Sequence, residues 1–237
     1  LARYEKGAFL LNARYYLSDC LLKLGRQNEA MESLLYVINQ PPGLFTEVSL
    51  LAASRISFSE KNYNQAAELY RKLIDLGENK ANVAEAELGI MRSYARLGEY
   101  QNTIDAGRIV LLQNKLEGSV KKETNYLIAK AYFLQNDLIS AYEWFSKISD
   151  EVNTIYGAEA KFRLAEIDYG RSEKAKAEST VLQMVQLNTP HHFWMGKTFL
   201  LLSDIYLDKN DEYQAVQTLE SIINYYHLIE ASMMSTP

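Results

Sequence analysis

The side chains best suited to chemistry lie in the second half of the chain. His191 and His192 stand next to Trp194, and Glu159, Glu166 and Asp168 lie close together upstream. Histidines can hold a metal or move protons. Adjacent residues on a helix, however, point about 100° apart, so this pair does not converge on one ion, and the third histidine, His227, falls near the end of the chain. Three carboxylates could work as acid and base, but they lack companions. There is no Gly-rich phosphate loop, no Ser-His-Asp grouping in a recognisable context and no Cys-x-x-Cys. The expectation is a surface helix N-terminus for the histidines, a solvated face for the acids, and no catalytic residue, metal or cofactor. The single Cys20 forms no internal disulfide, and its apolar helical neighbours predict a small buried side chain.

Composition narrows the choice of partner. A net charge of −5 and a pI near 5.4 argue against a nucleic-acid surface, which draws its affinity from clustered Lys and Arg. No run of about 18 apolar residues is present to insert in a membrane. An apolar fraction of 48% with only 11 Gly and 4 Pro supplies a core and favours helices. The chain starts at Leu1 without an initiator Met, a basic leader or an apolar signal region, which reads as a fragment of a longer protein.

What must position any functional side chain is a recurrent helix pair, clearest over residues 196–224. Phe199, Leu202, Ile205 and Tyr206 share one helical face with small Ser203 among them; Asn210-Asp211 breaks the pattern; Ala215, Leu219, Ile222 and Ile223 resume it. Two such helices cannot bury both faces alone. Neighbours occur upstream, with units starting near 11, 47, 84, 122, 158 and 196, spaced by 36, 37, 38, 36 and 38 residues. Within this register the eighth position is Ser18, Ser54, Met91, Ala129, Ala165 and Ser203, and twelve residues later come Ala30, Ala66, Thr103, Ala141, Ala177 and Ala215. Small residues at these places let helix axes approach closely. Gly25, Lys61, Gly98, Asn136, Ser172 and Asn210 mark the turn inside each unit, where Gly and Asn tolerate the left-handed backbone. Asn62 before Tyr63 and Thr46 before Glu47 look like helix caps, as does Thr189 with Pro190 as the first helical residue.

Small-x-x-Tyr, then Gly or Asn, then Ala-x-x-x-Leu-x-x-aliphatic, as in Ser203, Tyr206, Asn210, Ala215, Leu219 and Ile222, resembles the tetratricopeptide repeat over about residues 8–226. The last unit also resembles the long repeat proteins of Bacteroidetes, often tied to the cell envelope. Arg14, Glu87, Asn125 and Lys161 depart from the repeat at its fourth position, and Asp168 stands where Tyr is common. The resemblance implies an all-α, right-handed superhelical solenoid of antiparallel helix pairs, a single domain over 1–237 with a short tail at 227–237. It also implies a concave groove lined by the first helices. Carried onto this chain, the groove holds Tyr15, Leu51, Leu88, Tyr126, Phe162 and Leu200 in one row and Phe58, Phe133 and Tyr169 in another. Between them runs a charged row of Asp19, Arg55, Arg92, Lys130, Glu166 and Asp204, basic in the middle, where Arg96 adds to it. Apolar rows beside ordered charges suit a protein or peptide partner. The carboxylate clamp of some relatives is missing, since Tyr15 and Asp19 occupy its places. The expected function is a non-enzymatic protein-interaction scaffold. The alternative is a structural spacer or self-assembly segment of an envelope protein. At the C-terminal end Leu219, Ile223 and Tyr226 lack a further repeat, and the tail with Leu228, Ile229, Met233 and Met234 is expected to fold over them as an imperfect cap, which leaves room for self-association through the terminal repeat.

Overall fold

The computed structural model describes residues 9–234, with side chains through Ile223. These residues form twelve α-helices and no strand: α1 (Leu10–Lys23), α2 (Gln27–Ile38), α3 (Thr46–Ser59), α4 (Tyr63–Leu76), α5 (Lys80–Leu97), α6 (Tyr100–Leu111), α7 (Gly118–Leu134), α8 (Leu138–Ser146), α9 (Ile155–Gly170), α10 (Lys174–Leu187), α11 (His192–Asp208) and α12 (Glu212–Met234). Consecutive helices pack as pairs. The contacts divide the chain into two compact units, Leu1–Leu116 and Glu117–Pro237. The first unit contains α1–α6 and the second α7–α12. In the second unit the first helices of successive pairs also touch, α7 against α9 and α9 against α11.

The repeat register states what is buried. Ser18, Ser54, Met91, Ala129, Ala165 and Ser203 are all buried, and so are Ala30, Ala66, Thr103, Ala141, Ala177 and Ala215. The helix α4 shows how: Ala66, Ala67, Leu69, Tyr70 and Leu73 fall at helical spacing and are buried together, while Asn62 caps the N-terminus by accepting from the Gln65 N–H. All six turn residues adopt the left-handed backbone, with φ of 73° at Gly25, 62° at Lys61, 74° at Gly98, 62° at Asn136, 64° at Ser172 and 58° at Asn210. Geometry is kept even where residue type does not favour it.

Three local expectations need correction. Thr46 is the first residue of α3 and not its cap; its Oγ1 accepts from Gly43 N–H at 2.9 Å, which stabilises the preceding turn. Thr189 caps no helix, because α11 starts at His192; Thr189 is buried and donates to the Val152 carbonyl at 2.5 Å. Cys20 is exposed, since Ser18 and Leu21 form the buried stripe of α1 and Cys20 lies one residue outside it. At the other end Leu219 is 37% and Ile223 58% exposed, whereas Leu34, Tyr70, Phe145 and Val181, at the place of Leu219 in earlier units, are buried. The side chains of Tyr226 and of the expected cap residues Leu228, Ile229, Met233 and Met234 lie outside the described residues.

Candidate functional site

In the first unit most of the residues expected in a groove are engaged with their neighbours. Tyr15 stacks on Phe45 with centroids 4.4 Å apart, Leu51 is buried, Phe58 meets the edge of Tyr63 at 5.3 Å, and Leu88 is half-buried. Asp19 accepts from Lys23 at 2.7 Å. Arg55 makes a two-pronged pair with Glu85, both contacts at 2.6 Å, and so ties α3 to α5. Nearby, Glu47 accepts from the Glu78 N–H at 3.1 Å and from the Asn82 amide at 2.7 Å. Those bonds hold its carboxyl below the usual range, the Asn82 bond foremost. Burial, and then Glu85, raises the Tyr70 hydroxyl, and Arg55 and Arg92 offset only part of that rise. Arg96 is exposed. The Arg55 charge is thus spent on cohesion.

The second unit carries an open recess of about 630 Å³. Its walls come from three places: Tyr126 and Lys130 on α7, Ile155, Tyr156 and Glu159 on α9, and Pro190 to Trp194 at the start of α11. Thr154 starts α9 by accepting from the Gly157 N–H at 3.0 Å. The loop before α11 is tied down by the Thr189 bond to Val152 and by a 3.0 Å contact between His191 Nε2 and the Asn153 carbonyl. Aromatic rings supply most of the lining. Tyr126 stacks on Tyr156 at 4.6 Å, Phe193 meets Trp194 edge-on at 4.9 Å, and Phe162 backs Trp194 at 5.6 Å.

Charges meet at its base. Glu159 is only 5% exposed, so its carboxylate needs partners. Tyr126 donates its hydroxyl to Glu159 at 2.6 Å, Arg163 Nε lies 3.5 Å away, and Lys130 Nζ lies 3.7 Å away while donating to the Tyr126 oxygen at 2.8 Å. Burial, and then the bond to Glu159, pushes the Tyr126 hydroxyl well up, so it stays a donor. The Arg163 guanidinium lies over Phe133 at 4.6 Å and Trp194 at 5.4 Å, and donates to Glu166 at 2.6 Å. The expectation of a solvated acidic face is therefore corrected for Glu159 and Asp168. Asp168 is wholly buried and accepts from Tyr142 at 3.2 Å and Lys176 at 3.0 Å. Partners 33 and 26 residues upstream make that burial possible.

Of the residues expected from the sequence, Tyr126 and Lys130 line the recess, and Phe162, Phe133 and Glu166 hold the groups behind it. Tyr169 donates instead to Asp208 at 2.7 Å, a bond that pushes its hydroxyl up to about 12; Leu200 and Asp204 are exposed. Ile155, Tyr156 and Phe193 were missed. The run His-His-Phe-Trp following a proline carried a signal, two adjacent aromatics at a helix start, of which Trp194 joins the core and Phe193 stays exposed. The arrangement offers aromatic area and one half-exposed ammonium, which is binding chemistry. Among the described residues no His, Cys, Asp and Glu converge to hold a metal.

No protein-family model and no curated protein matches the chain. Solved structures do. A tetratricopeptide-repeat protein from Parabacteroides merdae aligns with a TM-score of 0.62 at 14% identity, covering 91% of this chain and 79% of its own. MamA aligns at 0.61 and 16% identity, covering 75% and 96%. YrrB, described as a repeat protein of the same kind with an unusual peptide-binding site, aligns at 0.58 and 15% identity, covering 82% and 92%. At such identities the likeness speaks for architecture, and the helix pairs and left-handed turns agree with it: this chain has the tetratricopeptide-repeat fold.

Proposed function

We propose that the chain is a protein-interaction scaffold without catalytic activity, and that a peptide segment of its partner docks in the recess of the second unit. The observation that carries this reading is the recess itself. It has the roughly 300–1,000 Å³ size of pockets that hold ligands, and its rim keeps large apolar groups in water, with Ile155 55% and Phe193 63% exposed. Exposed aromatic area around a partly buried polar centre is how interaction hot spots are built. The peptide-binding site described for YrrB lends support from the same fold.

The test uses a peptide-display library selected on the protein. Trp144 and Trp194 are its two tryptophans, so Trp144→Phe leaves Trp194 as the reporter in the recess wall. Selected peptides should change Trp194 emission. Because Ile155 and Phe193 are exposed, Ile155→Asp and Phe193→Asp should keep the circular dichroism and cut affinity at least tenfold. Peptides that bind both variants as well as the parent would overturn the site.

A further inference from the structure

We infer that the recess selects a peptide segment in which a large apolar side chain is flanked by an Asp or Glu. This rests on the peptide reading above and adds the chemistry of the occupant. The apolar half follows from the walls, where Tyr126, Tyr156, Phe193 and Trp194 face the cavity.

The acidic half follows from how the charges at the base are shared. Glu159 is the carboxylate that borders the recess, and it is turned inward, its side chain 7% exposed, accepting from Tyr126 and ion-paired with Arg163 at 3.5 Å and Lys130 at 3.7 Å. Its negative charge is compensated within the fold. Arg163 also borders this group, but its side chain is only 23% exposed, with one Nη on Glu166 and its Nε buried beside Glu159. Lys130 is different. Its side chain is 42% exposed, and its ammonium makes one hydrogen bond, to a neutral phenol, with Glu159 beyond hydrogen-bond reach at 3.7 Å. An ammonium has three donors, so Lys130 retains the capacity to donate outward. The cavity therefore presents one cation and hides its anion. A carboxylate arriving beside an apolar side chain would take the open donor and complete an alternating chain of Glu159, Tyr126, Lys130 and ligand, in which each bond polarises the next. A basic segment would meet Lys130 at the rim with no exposed carboxylate among the described lining residues to answer it.

The experiment titrates amide-capped hexapeptides, with Phe or Leu at the centre and Asp, Asn or Lys beside it, into the Trp144→Phe protein and follows Trp194. Asp should bind about fivefold more tightly than Asn, as an ion pair at a partly exposed rim is worth up to about 1 kcal/mol, and Lys should bind most weakly. Lys130→Met should erase the Asp preference while keeping the preference for Phe over Ala, and Lys130→Arg should restore it. Equal binding of Asp and Asn peptides by the parent, or an Asp preference that survives Lys130→Met, would overturn the acidic inference and leave the peptide reading standing. Binding of free-carboxylate peptides alone would overturn it in favour of chain termini. If no capped peptide binds and the display library also yields none dependent on Phe193, the peptide reading itself fails.

Discussion

The two units share a repeat and differ in how the pairs are fastened. In the first unit no described carboxylate is buried: Glu85 pairs with Arg55, with side chains 40% and 58% exposed, Glu47 holds the N-terminal turn of α5, and the part-buried links, Arg71 to the Tyr94 hydroxyl and Gln113 to Glu87, bury no carboxylate. In the second unit Glu159 and Asp168 are buried, with Tyr126, Tyr142, Lys130, Lys176 and Arg163 gathered around them. Exposed pairs each contribute little and tolerate loss. Buried charges cost desolvation and are seldom the cheapest route to stability. A fold that keeps its carboxylates accessible in one half and buries some in the other is spending stability there on fixed positions. The recess lies where those positions are fixed.

The sharpest way to break this comparison is to remove a buried carboxylate. Asp168→Ala leaves the Tyr142 hydroxyl without its acceptor and a cavity at a wholly buried site, and should destabilise the second unit by about 3 kcal/mol. Lys176 is 51% exposed and can turn to water, which keeps the cost at the lower end. Both tryptophans belong to the second unit, so the urea midpoint followed by fluorescence should fall further than the one followed by circular dichroism, which averages all twelve helices. Equal shifts would show that the halves do not differ in this way. A smaller effect should separate two glycines. A Cβ on Gly157 would lie 2.2 Å from the Glu151 carbonyl oxygen and 2.9 Å from that of Ile148, whereas on Gly89 it would meet the Tyr70 ring at 2.3 Å. Backbone gives way less readily than a side chain. Against a helix-propensity gain of about 1 kcal/mol, Gly157→Ala should still cost about 2 kcal/mol and Gly89→Ala about 1 kcal/mol, measured by thermal melts. The reverse order would mean that Tyr70 is the more rigid neighbour.

Much of the fold was legible because burial follows period. Positions such as Ser54 and Ala66 announce close helix contacts by size alone, and the turn residues can be located by counting even at Lys61 and Ser172, whose types carry no turn signal. The α7 wall of the recess was legible in the same way, as Tyr126 and Lys130 sit on helix positions the register places together. The other walls, at the starts of α9 and α11, depend on the loops that lead into those helices. There, Asn188 ends α10 left-handed with φ of 48° and α11 starts at His192, while Thr189 reaches back to Val152 and His191 to Asn153 through contacts across 37 and 38 residues that no local pattern specifies. Burial of Glu159 and Asp168 was hidden for a related reason. A carboxylate in a helix looks solvated until its partner, a Tyr in the preceding pair, is known.

The smallest expected effect concerns the turns, where the two units are alike. Lys61 and Ser172 hold φ of 62° and 64°, a conformation that costs a residue with a Cβ roughly 1–2 kcal/mol. Asn lowers this cost because its short amide can bond to the local backbone, and the chain already uses it at Asn136 and Asn210. Both Lys61 and Ser172 are exposed, so changing the side chain disturbs no packing. Asn is preferable to Gly here, since Gly would relieve the same strain but add about 0.5–1 kcal/mol of unfolded-state entropy. Lys61→Asn and Ser172→Asn should therefore each stabilise by about 0.5 kcal/mol, and being in separate units they should add in the double variant. Asn136→Ala, the opposite change at an equivalent turn, should destabilise by about 1 kcal/mol. If the two Asn variants melt no higher than the parent while Asn136→Ala loses stability, the backbone at Lys61 and Ser172 is held by the helix pair with little strain, and the turn residues matter only where Asn makes its own bond.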